Sequence, residues 1–168
     1  NPPFCDGAHL NCDFQGKEQA SRAPYLERAK PFRGPGIDLL DDRRCAFVRF
    51  CHREGGTAWE LTLASRDEAT IREAITAASE CTAGRLVARD KEGNLIEPSF
   101  DPEILVLQDP EKGVSAGIYV RGGVELIGAD GLPYEVRNRV TLCRCGRSKN
   151  MPFCDASHVP YGYRDDGG

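Results

Sequence analysis

The sequence predicts an α+β fold, in which a small β-sheet segment presents a metal-binding loop and an α/β insert precedes it. Three observations predict it. Residues 99–142 read as short strands, Ile104 to Leu107, Gly117 to Arg121, Val124 to Ile127 and Tyr134 to Leu142, with Gly122-Gly123 and Asp130-Gly131 where tight turns belong. Residues 37–81 carry apolar residues at helical spacing in two stretches. Three cysteines and one histidine then crowd into the 16 residues from Cys143 to His158.

Taken in order, residues 10–36 hold Gly16, Pro24, Pro31, Gly34, Pro35 and Gly36, which predicts a connector with a short helix near Tyr25 to Lys30. Asp38 can cap a helix through Leu39, Leu40, Cys45, Val48 and Phe50 to Arg53, ended by Gly55-Gly56. Trp59 to Leu63 alternates and predicts a strand. Ser65 or Asp67 opens a second helix to Cys81, with Ala69, Ile71, Ile75 and Ala78 on its buried side. Leu86 to Ala88 follows as a strand, and Lys91-Glu92-Gly93-Asn94 as a turn. The last strand of the β-rich segment runs into Cys143, so the ligand loop hangs from a sheet, which gives it rigid support. Tyr161 to Gly168 has little to bury and is expected to fray. The expected segments are 1–36, 37–98 and 99–168.

Composition narrows the function. A net charge of −4 argues against a nucleic-acid binder built on a basic face. No apolar run approaches the roughly 20 residues of a membrane span, and a cytoplasmic location is expected. The chain lacks an initiator methionine, so further chain, with room for a targeting segment, is expected upstream of Asn1. Eight cysteines would suit a disulfide framework in a small secreted domain. Their placement points elsewhere: His9 follows Cys5, His52 adjoins Cys51 and His158 follows Cys154, the short spacings of metal ligands. No nucleophile–base motif, Walker loop or G-x-G-x-x-G is present, and no catalytic residue is assigned.

Cys143, Cys145, Cys154 and His158 form C-x-C-x8-C-x3-H. A disulfide between the near neighbours Cys143 and Cys145 would be strained, whereas both thiolates can reach one metal. One helical turn would carry Cys154 and His158 to the same face. Such a donor set suits zinc or an iron–sulfur cluster, and the spacing does not choose between them.

The same residues resemble the CDGSH (NEET) signature, C-x-C-x2-S-x3-P-x-C-D-G-S-H. Every position fits except Ala156, which replaces the glycine and removes no ligand. The resemblance implies a [2Fe–2S] cluster, with Cys143 and Cys145 on one iron and Cys154 and His158 on the other. It also implies electron transfer or cluster transfer to a redox or cluster-acceptor protein. Histidine in place of a thiolate removes a negative charge, raising the reduction potential. Its protonation competes with iron, so acid should labilise the cluster. Ser148 matches the motif's hydroxyl, expected to cap a short helix entered at Pro152, and Asp155 its helix-stabilising aspartate. Arg144, Arg147 and Lys149 could attract an acidic partner or simply be a solvated surface.

Asn1 to His9 repeats Asn150 to His158 with six of nine positions identical, Cys5 and His9 matching Cys154 and His158. This half-motif lacks its C-x-C, which would fall before Asn1. The tandem arrangement implies a second [2Fe–2S] site, paired with the first within one chain and packing residues 1–16 on residues 143–160. Decay of the first copy is the alternative. Cys12 reads as a packed or free thiol.

Cys45, Cys51 and Cys81 form a further constellation beside His52. On a helix Cys45 and Cys51 would diverge by about 120°, which weighs against a shared metal. Yet Cys45-x5-Cys51 followed by a helix and Cys81-Thr82-Ala83-Gly84 resembles a divergent single-cluster ferredoxin, with Thr82 in place of a proline. That resemblance implies a [3Fe–4S] or [4Fe–4S] cluster, against core thiols as the plain alternative. A zinc-stapled interaction module and an electron-relay subunit of a larger redox enzyme are the rival functions.

Overall fold

The computed structural model describes residues 7–11 and 16–165. Cys5, Cys12 and the side chain of His9 lie outside the described residues, and with them the first motif copy.

The insert is built on an antiparallel sheet of four strands. β1 (Lys30–Arg33) pairs with β2 (Asp38–Asp41), so the expected connector contributes an edge strand. After a long irregular loop, β3 (His52–Arg53) and β4 (Gly56–Thr57) form a minimal hairpin around Gly55. Helices α2 (Ala58–Ala64) and α3 (Glu68–Ser79) follow, then β5 (Leu86–Arg89) and β6 (Leu95–Ile96). The sheet order is β1-β2-β5-β6. Leu39, Leu86 and Ala88 bury against Ala58, Leu61, Ala74, Ala77 and Ala78 of the two helices.

Two expected elements are corrected. The helix from Asp38 to Arg53 is the buried strand β2 and then a loop. Asp38 caps nothing; it receives Arg89 at 3.0 Å and Lys91 at 2.6 Å across the sheet. The expected strand at 59–63 is helix α2, because Thr57 and Glu60 close a capping box. Asp67 does cap α3, accepting from Thr70 N at 2.9 Å. The short helix near Tyr25 is present as α1 (Tyr25–Arg28).

The β-rich segment is a three-stranded antiparallel sheet of β7 (Glu103–Asp109), β8 (Val114–Arg121) and β9 (Arg139–Leu142). The expected strand at 124–127 survives only as an isolated bridge between Ile127 and Pro133. The tail does not fray as far as residue 165: Ser115 N donates to Tyr163 O at 2.7 Å, and Arg144 Nη1 pairs with Asp165 at 2.6 Å.

The two sheets are locked together by Arg139 of β9, whose side chain is fully buried. It donates to the carbonyls of Ala78, Cys81 and Leu86 at 2.8–2.9 Å and pairs with Glu97 at 3.0 Å. It thereby adds a side-chain donor in the turn after α3, where Cys81 N reaches Ala78 O at 3.2 Å and Gly84 N reaches Cys81 O at 3.0 Å. Gly84 has a left-handed φ of +60°, and a Cβ there would lie 2.2 Å from Arg139 O, so only glycine permits this approach. Among the described residues no helix is long and apolar enough to cross a membrane.

Candidate metal centre

Strand β9 delivers the chain into the ligand loop, as expected. Leu142 bridges Phe153, Cys143 N donates to Pro152 O at 2.7 Å and Cys154 N to Thr141 O at 2.8 Å. The loop therefore folds back along the strand that feeds it. No helix forms after Pro152, so the expected helical turn is corrected to a series of turns. Ser148 accordingly caps no helix: its hydroxyl donates to Phe153 O at 2.6 Å and accepts from Asn150 N at 3.0 Å. Asp155 ties the loop from the other side, accepting from Lys149 N at 2.8 Å and Ser157 N at 3.0 Å.

Those turns still bring Cys154 and His158 together, with Sγ 3.6 Å from Nδ1. Cys143 and Cys145 stand 3.7 Å apart, sulfur to sulfur. Both separations suit two donors on one tetrahedral metal, which metal–sulfur bonds of about 2.3 Å would set roughly 3.8 Å apart. Among the described residues, however, no group of three or more His, Cys, Asp or Glu donors is placed to hold a single ion. The centre is thus two pairs rather than one converging quartet.

Its electrostatics differ between the pairs. The Cys145 thiol hydrogen-bonds Cys143, and backbone N–H groups of Ser148, Gly146 and Arg147 add to it, pushing Cys143 down to about 6. Sharing that proton drives Cys145 the other way. Burial pushes Cys154 up to about 12 and pulls His158 below its ordinary value, while Asp109 and Asp155 oppose the shift at His158. His158 is 2% exposed, and its Nε2 is buried without a hydrogen-bond partner.

The only departure from the motif carries strain. Ala156 has φ +71°, where glycine is at ease and alanine is not. Arg144 is a brace, donating to Ala116 O at 3.0 Å and Leu107 O at 3.2 Å besides its pair with Asp165, whereas Arg147 and Lys149 are exposed.

The middle cysteines are placed by the loop from Asp42 to Cys51 and by the turn after α3. Because that loop is not helical, the expected 120° divergence of Cys45 and Cys51 does not arise. Cys51 and Cys81 pack on the insert's core, and burial pushes both thiols above their ordinary value. Arg85 is forked onto Asp41 at 2.6 and 2.7 Å, and Cys45 Sγ accepts from Phe47 N at 3.3 Å. Arg43, Phe47 and Arg49 all adopt left-handed φ between 60° and 68° in this one loop. The loop also reaches the other centre: Arg44 stacks over Phe153 at 4.5 Å, and Cys45 contributes to the field at Cys154. His52 is exposed.

Sequence reasoning missed Arg139, Arg49 and Asp109. Their partners lie about 60 residues away, and no local pattern marks such pairs.

Residues 116–159 match the family model described as the iron-binding zinc finger of CDGSH type. The chain carries a CDGSH iron-binding domain. The match opens in β8 and closes just after His158, so it spans the central strand β8, the edge strand β9 and the loop that follows them. No curated protein and no solved structure matches the chain.

Proposed function

We propose that this CDGSH domain binds a [2Fe–2S] cluster through Cys143, Cys145, Cys154 and His158, and that the chain serves in electron transfer or cluster transfer. The observation that carries the proposal is the division of the donors into two pairs, 3.7 Å and 3.6 Å apart, with no three arranged for one ion. A mononuclear zinc staple needs all four donors equally close; a two-iron cluster needs two on each iron. When bound, such a cluster accepts and returns single electrons.

The chain's own residues define how it would do so. Backbone N–H groups of residues 146–148 point charge-stabilising dipoles at Cys143 and favour its thiolate. Burial of Cys154 and His158 excludes water from that pair, leaving the Cys143–Cys145 side the more accessible. Exposed Arg147 and Lys149 present positive charge on that loop to an acidic redox or acceptor protein. Gln19 N and Ala20 N both donate to Met151 O at 2.9 Å, which places the chain after the first motif copy directly on the second. This supports pairing of two motifs within one chain, with Cys5 and His9 supplying half of a second [2Fe–2S] site.

The test is His158→Cys on the full chain. Restoring a thiolate should lower the reduction potential while the cluster is retained, measured by redox titration of the visible bands. An unchanged potential contradicts ligation by His158, and a colourless protein with stoichiometric zinc contradicts the cluster.

A second centre is proposed at Cys45, Cys51 and Cys81, a [3Fe–4S] cluster or a [4Fe–4S] cluster completed by an outside ligand. The packing of Cys51 and Cys81 on one core and the strained loop that presents Cys45 and Cys51 support it. Cys81→Ser should remove a distinct EPR signal; an unaltered iron count would make these core thiols.

A further inference from the structure

A cavity of about 710 Å3 separates the cysteine loop of the insert from the hairpin between β7 and β8; Phe47, Arg49, His52, Asp109, Glu111 and His158 line it. His158 meets it from the side of the CDGSH centre. With Nδ1 turned toward Cys154 and the metal, the neutral ring keeps its proton on Nε2. That nitrogen is buried and unpartnered, a state that is costly if nothing meets it. Its partner must be an acceptor.

Asp109 is the acceptor that the surroundings supply. Its carboxylate is buried beside the cavity and offers about four acceptor positions. Three are filled: Oδ1 accepts from Arg49 Nη2 at 3.0 Å and Lys112 N at 3.1 Å, and Oδ2 from Arg49 Nη1 at 2.8 Å. One position on Oδ2 stays open. Asp155, the other carboxylate near the ring, does not line this cavity and is turned to its own loop, receiving Lys149 N and Ser157 N. Of the two, Asp109 exerts the stronger field on His158. Arg49 holds Asp109 with both arms of its guanidinium from a left-handed backbone, φ +68°, in the loop between Cys45 and Cys51. The fork thus joins the insert's cysteine loop to the end of β7, at the cavity that His158 also lines.

We propose that Asp109, fixed by Arg49, is a positioning residue for His158: its open acceptor receives the Nε2 proton through one water in the cavity that both line. The proposal rests on iron ligation by His158. A carboxylate behind a metal-bound imidazole fixes the ring's tautomer and orientation and makes it a stronger electron donor. Asp109 therefore favours the oxidised cluster, and the insert gains a hold on the centre's potential.

The experiment compares the full-length loaded protein with Asp109→Asn and Asp109→Glu. Iron and sulfide content should be unchanged in all three. The reduction equilibrium of Asp109→Asn should move about tenfold toward the reduced form, about 59 mV for a one-electron couple, and Asp109→Glu should recover at least half of that shift. An equilibrium within twofold of the parent in a loaded Asp109→Asn protein overturns the proposal. Loss of iron from the parent itself would instead overturn the ligation on which it rests. Where Asp109→Asn does not fold or load, the intact protein with 15N-labelled histidine decides. An Nε2 proton slow to exchange and shifted downfield supports the carboxylate acceptor, and one exchanging like that of an open imidazole overturns it.

Discussion

The loop from Cys143 to His158 and the loop from Asp42 to Cys51 both present cysteines from irregular backbone, yet they are held in opposite ways. The first is self-contained. Its donors fall within one short stretch, and Ser148, Asp155 and the bonds between Cys143, Thr141, Pro152 and Cys154 close it locally. The second is held from outside. Cys81 arrives from beyond α3, Arg44 donates to Ser21 O at 2.8 Å, and Arg49 anchors the loop to Asp109 across the interface. A local loop can act as a portable motif, whereas a loop assembled from distant partners depends on the whole fold.

The largest test of that contrast is Arg139→Met. It removes the side chain that bonds Ala78, Cys81, Leu86 and Glu97, taking one donor from each carbonyl and leaving Glu97 with only Arg137 at 3.9 Å. Equilibrium urea unfolding should show a loss of about 3–5 kcal/mol, with the middle cysteines becoming reactive to thiol reagents before Cys154 does. A loss below about 1 kcal/mol would show that the insert does not depend on this anchor. The smaller test sharpens the local side. Ala156→Gly relieves a left-handed alanine and should stabilise the protein by about 1 kcal/mol, with the visible spectrum unchanged. A destabilised variant would mean that the alanine side chain contributes packing that outweighs its strain.

The same contrast explains what could be read from the chain. The CDGSH motif, the helix capped by Asp67, and the strands around Leu86 and Val120 were legible because spacing and capping are local properties. Residues 38–53 were misread because Leu39 and Leu40 sit in a short buried strand, and a brief apolar run looks alike in a strand and a helix. Asp38 reads as a helix cap, yet its partners Arg89 and Lys91 lie across the sheet. Thr57-Ala58-Trp59-Glu60 carried the signal that would have named α2, a capping box overlooked beside the alternation of the residues it starts. Arg49, Asp109 and Arg139 had no such signal, since a buried arginine looks like a surface one until the fold supplies its partners.

Iron and acid-labile sulfide, counted per full-length chain before and after Cys154→Ala, test the central claim most directly. The account predicts a fall of about two iron and two sulfide, with any centre at Cys45, Cys51 and Cys81 left in place. Release of one zinc, or an iron count that does not change, would contradict it.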